Sequence, residues 1–309
     1  MSDPVIVFDR RAVRLHRERA AAHLAEHDFL FCEVADRLAE RLDDINRRFP
    51  RALEIGARAG ALSARLTGRG GIETLVRCDL SPRALRAGEC AKQPHLAVTA
   101  DEEFLPFAPA SFDLILSCLS LHWVNDLPGA LIQIRRALKP DGLFLAALFG
   151  GATLGELREA LLEAEIAEYG GAGPRVSPFA DVRDAGGLLQ RAGFALPVVD
   201  SDTITVSYSN ALDLMRDLRG MGESNAVAER RRSFTRRSTL LRAAAIYADR
   251  HADKSHRIPA TFQVLTLTGW APHATQPKAL RPGSATTKLS AVLGTKEISA
   301  GDKAVPRRH

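Results

Sequence analysis

Cysteine is scarce in this 309-residue chain: four residues, Cys32, Cys78, Cys90 and Cys118, without C-x-x-C spacing. Neither a disulfide framework nor a cysteine zinc site is expected, and buried thiols are the reading. No apolar run approaches the eighteen or so residues that span a bilayer. The first ten residues, Met1 to Arg10, lack the apolar core of a secretion signal. A cytoplasmic location follows as the expectation, with peripheral contact at the inner membrane left open. The formal charge of +5 is also missing from the main body. Seven Lys/Arg and two Asp/Glu lie between Lys278 and His309, leaving 35 of each sign in residues 1–277. A nucleic-acid-binding domain is therefore not indicated.

A third lack is glycine, at one place. Ala52-Leu53-Glu54-Ile55-Gly56-Ala57-Arg58-Ala59-Gly60 runs from an apolar, acid-bearing segment into Ala61-Leu62-Ser63-Ala64-Arg65-Leu66, which reads as strand, tight loop and helix. In a doubly wound α/β sheet such a loop offers backbone N–H groups and a helix N-terminus to a nucleotide-like cofactor. A full glycine pattern has a third glycine between Gly56 and Gly60, where this chain has Arg58. An ordinary strand-to-helix turn is the competing reading.

Around that loop, residues 9 to 47 carry apolar positions at helical spacing, among them Leu30, Val34, Leu38, Leu42 and Ile45. One or two amphipathic helices are expected ahead of the sheet. Asp3, Asp9, Glu18 and Glu26 interrupt the basic segment from Arg10 to Leu15, which reads as a solvated helix face rather than a targeting peptide. The strand Glu73 to Cys78 ends at Asp79, twenty-three residues beyond Gly56. A carboxylate there can accept both hydroxyls of a ribose, or cap the helix that Ser81 and Pro82 open. A third strand, Leu96 to Ala100, delivers Asp101-Glu102-Glu103, and an acid here can bond an adenine amino group or simply face water. Ser111 to Cys118 is the fourth strand, Lys139-Pro140-Asp141-Gly142 a turn, and Leu143 to Phe149 the fifth strand. Helices are expected at about 153–168 and 181–192, a sixth strand near Val198-Val199-Asp200, a largely helical insertion at about 209–258, and a last strand over Thr261 to Trp270. From Pro272 onward no period survives, and a basic, disordered tail is expected.

An acid at each of the first three strand ends, in alternating strand and helix, resembles a class I S-adenosylmethionine-dependent methyltransferase. That resemblance implies an α/β Rossmann-like fold with a seven-stranded, mostly parallel sheet, helices on both faces and a helical insertion before the last strand. It divides the chain into an N-terminal helical segment (1–49), a cofactor-binding domain (50–271) and a tail (272–309). It implies S-adenosyl-L-methionine as cofactor, with Glu54, Gly56 and Gly60 around the methionine part, Asp79 and Leu80 at the ribose, Asp101 and Glu102 near the adenine, and Ser117 closing the fourth strand.

A narrower resemblance runs through Phe8-Asp9-Arg10, the segment from Ala100 to Phe107, Ser120-Leu121-His122-Trp123-Val124-Asn125-Asp126-Leu127-Pro128, Leu138 to Gly142, Phe149-Gly150-Gly151, Gly220 to Asn225 and Arg281 to Ala285. These are similar to the methyltransferase-fold assembly factors of respiratory complex I, a family of protein-arginine hydroxylases, and more loosely to the enzymes that methylate malonyl carrier protein in biotin synthesis. The resemblance implies a protein substrate, namely a complex I subunit. It also marks a departure, since such proteins usually carry glycine where Arg58 stands. A guanidinium 4 Å from a sulfonium would repel it by about 4 kcal/mol at an effective dielectric of 20. An Arg58 turned to solvent would remove that penalty.

The expected activity is S-adenosylmethionine-dependent methylation of a protein, with protein-arginine hydroxylation, which rests on the resemblance alone, as the alternative; methyl transfer is an in-line displacement that asks the protein mainly to position donor and acceptor. His122 or Asn125 could orient the acceptor or take its proton; a packed residue beside Trp123 is the alternative for His122. Hydroxylation demands an oxidant and usually a metal. His251-Ala252-Asp253 has suitable letters, yet sits in a polar helical region away from the strand ends, so no metal ligand is assigned. A third reading is a binding module, with Trp123, Glu223 and Asn225 facing the partner and Glu223 pairing with a guanidinium; turn residues are the alternative there.

Overall fold

The computed structural model describes residues 6–87, 95–179, 181–277, 284 and 286–296. Cys90 and the segment Arg281–Gly283 lie outside them, as does much of the expected tail. Contacts divide the chain into two units, Met1–His273 and Ala274–His309; the second contains one short helix, α10 (Leu289–Leu293).

In the first unit, α1 (Arg10–Ala20) and α2 (Phe29–Asp43) precede β1 (Arg51–Ile55), α3 (Ala61–Arg65), β2 (Thr74–Asp79), α4 (Pro82–Ala87) and β3 (His95–Thr99). Then come β4 (Phe112–Cys118), α5 (Leu127–Ala137), β5 (Leu138–Phe149), α6 (Gly155–Tyr169), α7 (Val182–Arg191) and β6 (Ala195–Tyr208). The insertion holds α8 (Ala211–Gly220) and α9 (Arg237–His251), and β7 (Ile258–Trp270) follows. The sheet order is β3-β2-β1-β4-β5-β7-β6, parallel through β5 and antiparallel where β7 meets β5 and β6. This is the Rossmann-like seven-stranded, mostly parallel sheet.

Successive residues of a strand face opposite sides of a sheet, and the core divides accordingly. Ala52, Leu114, Leu143 and Leu145 pack with α2, α6 and α8 on one face. Leu53, Ile115, Phe144 and Ala146 pack with α5 and α7 on the other. Both faces are covered, so the central strands are apolar at nearly every position, as buried parallel strands must be. Asp9, Asp126 and Asn210 start α1, α5 and α8 by accepting from backbone N–H groups of the first turn.

The Lys139–Gly142 turn appears as an outward loop within β5. Phe112 pairs with Leu138 but Leu114 with Leu143, and Asp141 takes a left-handed φ of 62° to make the detour. Among the described residues no helix is long and apolar enough to cross a membrane.

Candidate active site

Parallel strands β1, β2 and β4 bring their carboxyl ends together, and the loops beyond them gather the acids that the strand pattern singled out. Gly56 leaves β1 at φ 69° and Gly60 opens α3 at φ 83°, both in the region that favours glycine. Asp79, at the end of β2, is fully buried. It accepts from Ser81 N at 2.7 Å, from Arg58 N at 3.0 Å and from Arg17 at 3.4 Å. Glu102, past β3, is also fully buried.

The solvated basic face expected of the first helix is corrected here. Arg11 and Arg14 do face water. Arg10 and Arg17, one face of α1, turn inward onto the strand-end acids. Arg17, 2% exposed, reaches Glu102 at 2.6 Å and Ser120 Oγ at 2.8 Å. Arg10 binds Asp101 at 2.5 Å, the carbonyl of Trp123 at 2.9 Å and the second oxygen of Glu102. The physical reason is compensation, because two carboxylates buried side by side need cations in contact with them. Burial alone would raise the Glu102 carboxyl, but Arg17 and Arg10 hold it well below the usual carboxylate range.

Arg58 takes neither orientation weighed from the sequence. It is 5% exposed, with a left-handed φ of 44°. Its guanidinium ion-pairs with Glu223, donates to the carbonyls of Met221 and Leu119 at 3.0 Å each, and lies 4.5 Å from the centre of the Phe31 ring. Its charge is therefore paired with Glu223, while its backbone N–H supports Asp79. The other oxygen of Glu223 accepts from Trp123 Nε1 at 2.8 Å and lies 3.1 Å from His122 Nε2. Burial opposes ionisation of Glu223, yet Arg58 and His122 bring its carboxyl down to about 2.

His122 is a packed residue beside Trp123, the alternative the sequence allowed. Its ring packs 4.7 Å from Phe149 and 5.4 Å from Trp123, and burial lowers its pKa, so the neutral ring donates from Nε2. Nδ1 is then a buried acceptor without a partner in the structure.

Asn125 lines an open pocket with Phe8, Arg10 and Glu103, but its amide is taken up within the chain. Its Oδ1 accepts from Val7 N and Phe8 N, and its Nδ2 donates to Phe8 O and Glu103, so it clasps the N-terminal segment onto the site. Asn225 likewise spends its amide on Pro174 O and Val227 N. Ser117 donates to Ile55 O between strands, and Leu80 packs with Phe8, Val13 and Trp123. Asp253 organises its own turn by accepting from Ser255 and Arg257 N–H groups. Sequence reasoning missed Arg10, Arg17 and Ser120 altogether. The Phe8-Asp9-Arg10 motif was the available signal, since Phe8 packs edge-on against Trp123, Asp9 caps α1 and Arg10 lies on the acids.

Several spaces adjoin this network, and two of them border the glycine loop and Glu223. A cavity of about 180 Å³ lies along the glycine loop, lined by Glu54, Phe31, Arg58 and Cys118. A second, of about 230 Å³, lies behind Trp123 and Glu223 among Phe149, Phe179, Met215 and Leu240. Glu54, in the first, is 2% exposed and accepts from Ser63 Oγ. Burial is the largest influence on it and pushes its carboxyl up to about 7, against Ser63 and Arg77, which favour the charged form. An acid whose folded pKa is raised favours the fold below its unfolded pKa and loses that contribution as pH rises through the folded value. Wild type should therefore lose about 3 kcal/mol between roughly pH 4.5 and 7, and Glu54→Gln should flatten that slope. Urea unfolding of both proteins at several pH values checks this, and identical slopes would refute it.

The residues fit S-adenosyl-L-methionine in kind: carboxylates at β2 and β3 for hydroxyl and amino donors, and left-handed glycines for close backbone approach. The chain itself covers these acids. A Cβ built on Gly56 would lie 2.0 Å from Ser120 Oγ, and Asp79 and Glu102 expose no surface.

Comparison with known proteins agrees with this arrangement. Residues 53–146 match the model of a methyltransferase domain. The Bacillus subtilis YcgJ crystal structure superposes with a TM-score of 0.54 at 15% identity, covering 76% of this chain and 98% of that one. A Haemonchus contortus phosphoethanolamine N-methyltransferase in complex with S-adenosyl-L-methionine gives 0.51 at 14% identity, covering 82% of this chain and 57% of that one. These neighbours show the fold. In sequence, the chain is 44% identical over 286 residues to the Danio rerio protein named arginine-hydroxylase NDUFAF5, mitochondrial, covering 92% of this chain and 88% of that protein. The Homo sapiens protein of the same name is also 44% identical, with 92% and 82% covered. A malonyl-[acyl-carrier protein] O-methyltransferase of Xylella fastidiosa is 36% identical, with 86% and 89% covered. The strand order, the acids at the strand ends and near full-length identity above 40% place the chain in the NDUFAF5 arginine-hydroxylase family, on a methyltransferase fold.

Proposed function

We propose that the protein binds S-adenosyl-L-methionine at Asp79, Glu102, Asp101 and the Gly56–Gly60 loop, and modifies an arginine side chain of a protein substrate by hydroxylation, for which dioxygen would supply the inserted oxygen atom and an external two-electron donor would reduce its other atom to water. The carrying observation is the 44% identity, over 92% of the chain, to proteins named arginine-hydroxylase. The resemblance of the matched segments makes a complex I subunit the substrate, which the protein modifies during assembly. Glu54 would face the methionine part of the cofactor, Leu80 and Ser117 would shape the walls, and Trp123 with Glu223 would face the substrate. His122, whose Nδ1 is a buried acceptor without a partner, is the residue placed to orient an acceptor donor group. Asn125 and Asn225 act by holding the segments that close the site.

Methyl transfer is the second reading, favoured by the methyltransferase domain match and the 36% identical carrier-protein methyltransferase. The cofactor when bound supplies an activated methyl group, and the chain's part is to orient donor and acceptor and exclude water. The experiment is a deletion strain whose complex I subunits are analysed by mass spectrometry. Hydroxylation predicts loss of a mark of about 16 Da on an arginine, and methylation loss of one of about 14 Da. A strain with impaired complex I and no missing mark would leave only a binding role in assembly.

A further inference from the structure

The Arg58 guanidinium occupies a site built like a receptor for it. One oxygen of Glu223 faces it. The other oxygen of Glu223 is fixed by Trp123 Nε1 and His122, so the carboxylate is held in one orientation before any cation arrives. Two carbonyls, Leu119 O and Met221 O, converge on the same guanidinium at 3.0 Å, and the Phe31 ring lies against its face. Carboxylate, paired carbonyls and an aromatic plane are what a planar, five-donor cation recognises and a compact ammonium does not.

The occupancy by Arg58 is imperfect. Its Nε is buried without a hydrogen-bond partner among the described residues, and its backbone carries a side chain at φ 44°, where non-glycine residues pay a conformational cost. Glu223 is also a wall of the cavity behind Trp123, about 230 Å³ in volume. Phe149, Phe179, Met215 and Leu240 give that cavity apolar walls suited to the methylenes of an arginine side chain.

We infer that Glu223, with the carbonyls of Leu119 and Met221 and the Phe31 ring, is a guanidinium-binding site, that Arg58 is its internal occupant, and that an arginine side chain entering through the apolar cavity competes with Arg58 for Glu223. The identity of the incoming arginine rests on the proposed function; the site itself does not.

Arg58→Gly tests it, because glycine relieves the positive φ and empties the site. Guanidinium chloride at low-millimolar concentration is titrated into wild type, Arg58→Gly and Arg58→Gly/Glu223→Gln, following tryptophan fluorescence and thermal unfolding, against equal sodium chloride and tetramethylammonium chloride. Arg58→Gly should show a saturable, guanidinium-specific stabilisation, at least about tenfold tighter than any response of wild type, since a charged hydrogen-bonding partner is restored. The double variant should lose it. If Arg58→Gly is unfolded in plain buffer, guanidinium-dependent recovery of the fold, absent with the other salts, is the same result. A response in Arg58→Gly no different from that to sodium chloride, or one kept in the double variant, overturns the inference. N-acetyl-arginine amide in place of guanidinium then reports on the cavity: binding to Arg58→Gly but not wild type supports competition, whereas guanidinium binding without it removes the cavity route and leaves the proposed function standing.

Discussion

Replacing Arg17 by methionine should cost about 3–5 kcal/mol of folding stability at neutral pH, the size expected when one partner of a buried ion pair is removed. The side chain is 2% exposed and contacts Glu102, Asp79 and Ser120. Methionine fills much of the same volume, so the loss comes mainly from charge. Glu102 keeps Arg10 but loses the more deeply buried of its two cations, and Asp79 loses the guanidinium that reaches it among the described residues. The sign with pH follows from the same contacts. A carboxyl whose folded pKa is depressed stabilises the fold above its unfolded pKa, and that contribution fades as pH falls through the folded value. Wild type should therefore outlast Arg17→Met most clearly above about pH 5, with the gap narrowing below it as the stranded carboxylates accept protons. Thermal unfolding at pH 7 should show a fall of roughly 6–20 °C. Adding Glu102→Gln should recover part of it, because the two changes remove one coupled pair. A fall worth under about 1 kcal/mol would show that water, not Arg17, compensates these acids.

What could be read from the sequence follows physical lines. The sheet was legible because buried parallel strands are short apolar runs: Leu53-Glu54-Ile55, Leu75-Val76 and Leu114-Ile115-Leu116 stand out from the polar text around them. The positions of the strand-end acids were legible because topology places them: Glu102 lies beside Gly56, and Asp79 accepts from the loop N–H of Arg58. The detour at Lys139–Gly142 read as a turn because Pro, Asp and Gly make turns locally; that it remains within one strand depends on its pairing with Phe112 and Leu114.

Residues whose roles depend on long-range partners were not legible. Arg10 and Arg17 lie one helical repeat of seven apart, and nothing local separates them from Arg14, which pairs with Glu18 in solvent. Their partners lie more than sixty residues away. Arg58 looked like a flaw in a glycine loop because its partner Glu223 is 165 residues distant. Asn125 and Asn225 looked available for chemistry because an amide has donors and acceptors to offer; the fold uses them on the backbone of Phe8, Pro174 and Val227. The four short motifs around Phe8, Asp101, His122 and Glu223 have no shared local pattern, yet they converge on one network.

That network makes Asp79 the most informative position for the cofactor. Its carboxylate is held by the Ser81 and Arg58 N–H groups at 2.7 and 3.0 Å, so its direction is preset, and the ribose hydroxyls would take the place that Arg17 leaves. Each hydrogen bond to a charged acceptor contributes about 1.5–3 kcal/mol. Asp79→Asn keeps the shape but removes the charge and one acceptor, and should weaken cofactor binding by about tenfold to a hundredfold. Titration calorimetry of S-adenosyl-L-methionine into wild type and Asp79→Asn is the direct measurement. Wild type should bind one molecule per chain, and Asp79→Asn should bind it at least about tenfold more weakly. No heat of binding in wild type, or equal affinity in the two proteins, would contradict a cofactor site at these strand ends.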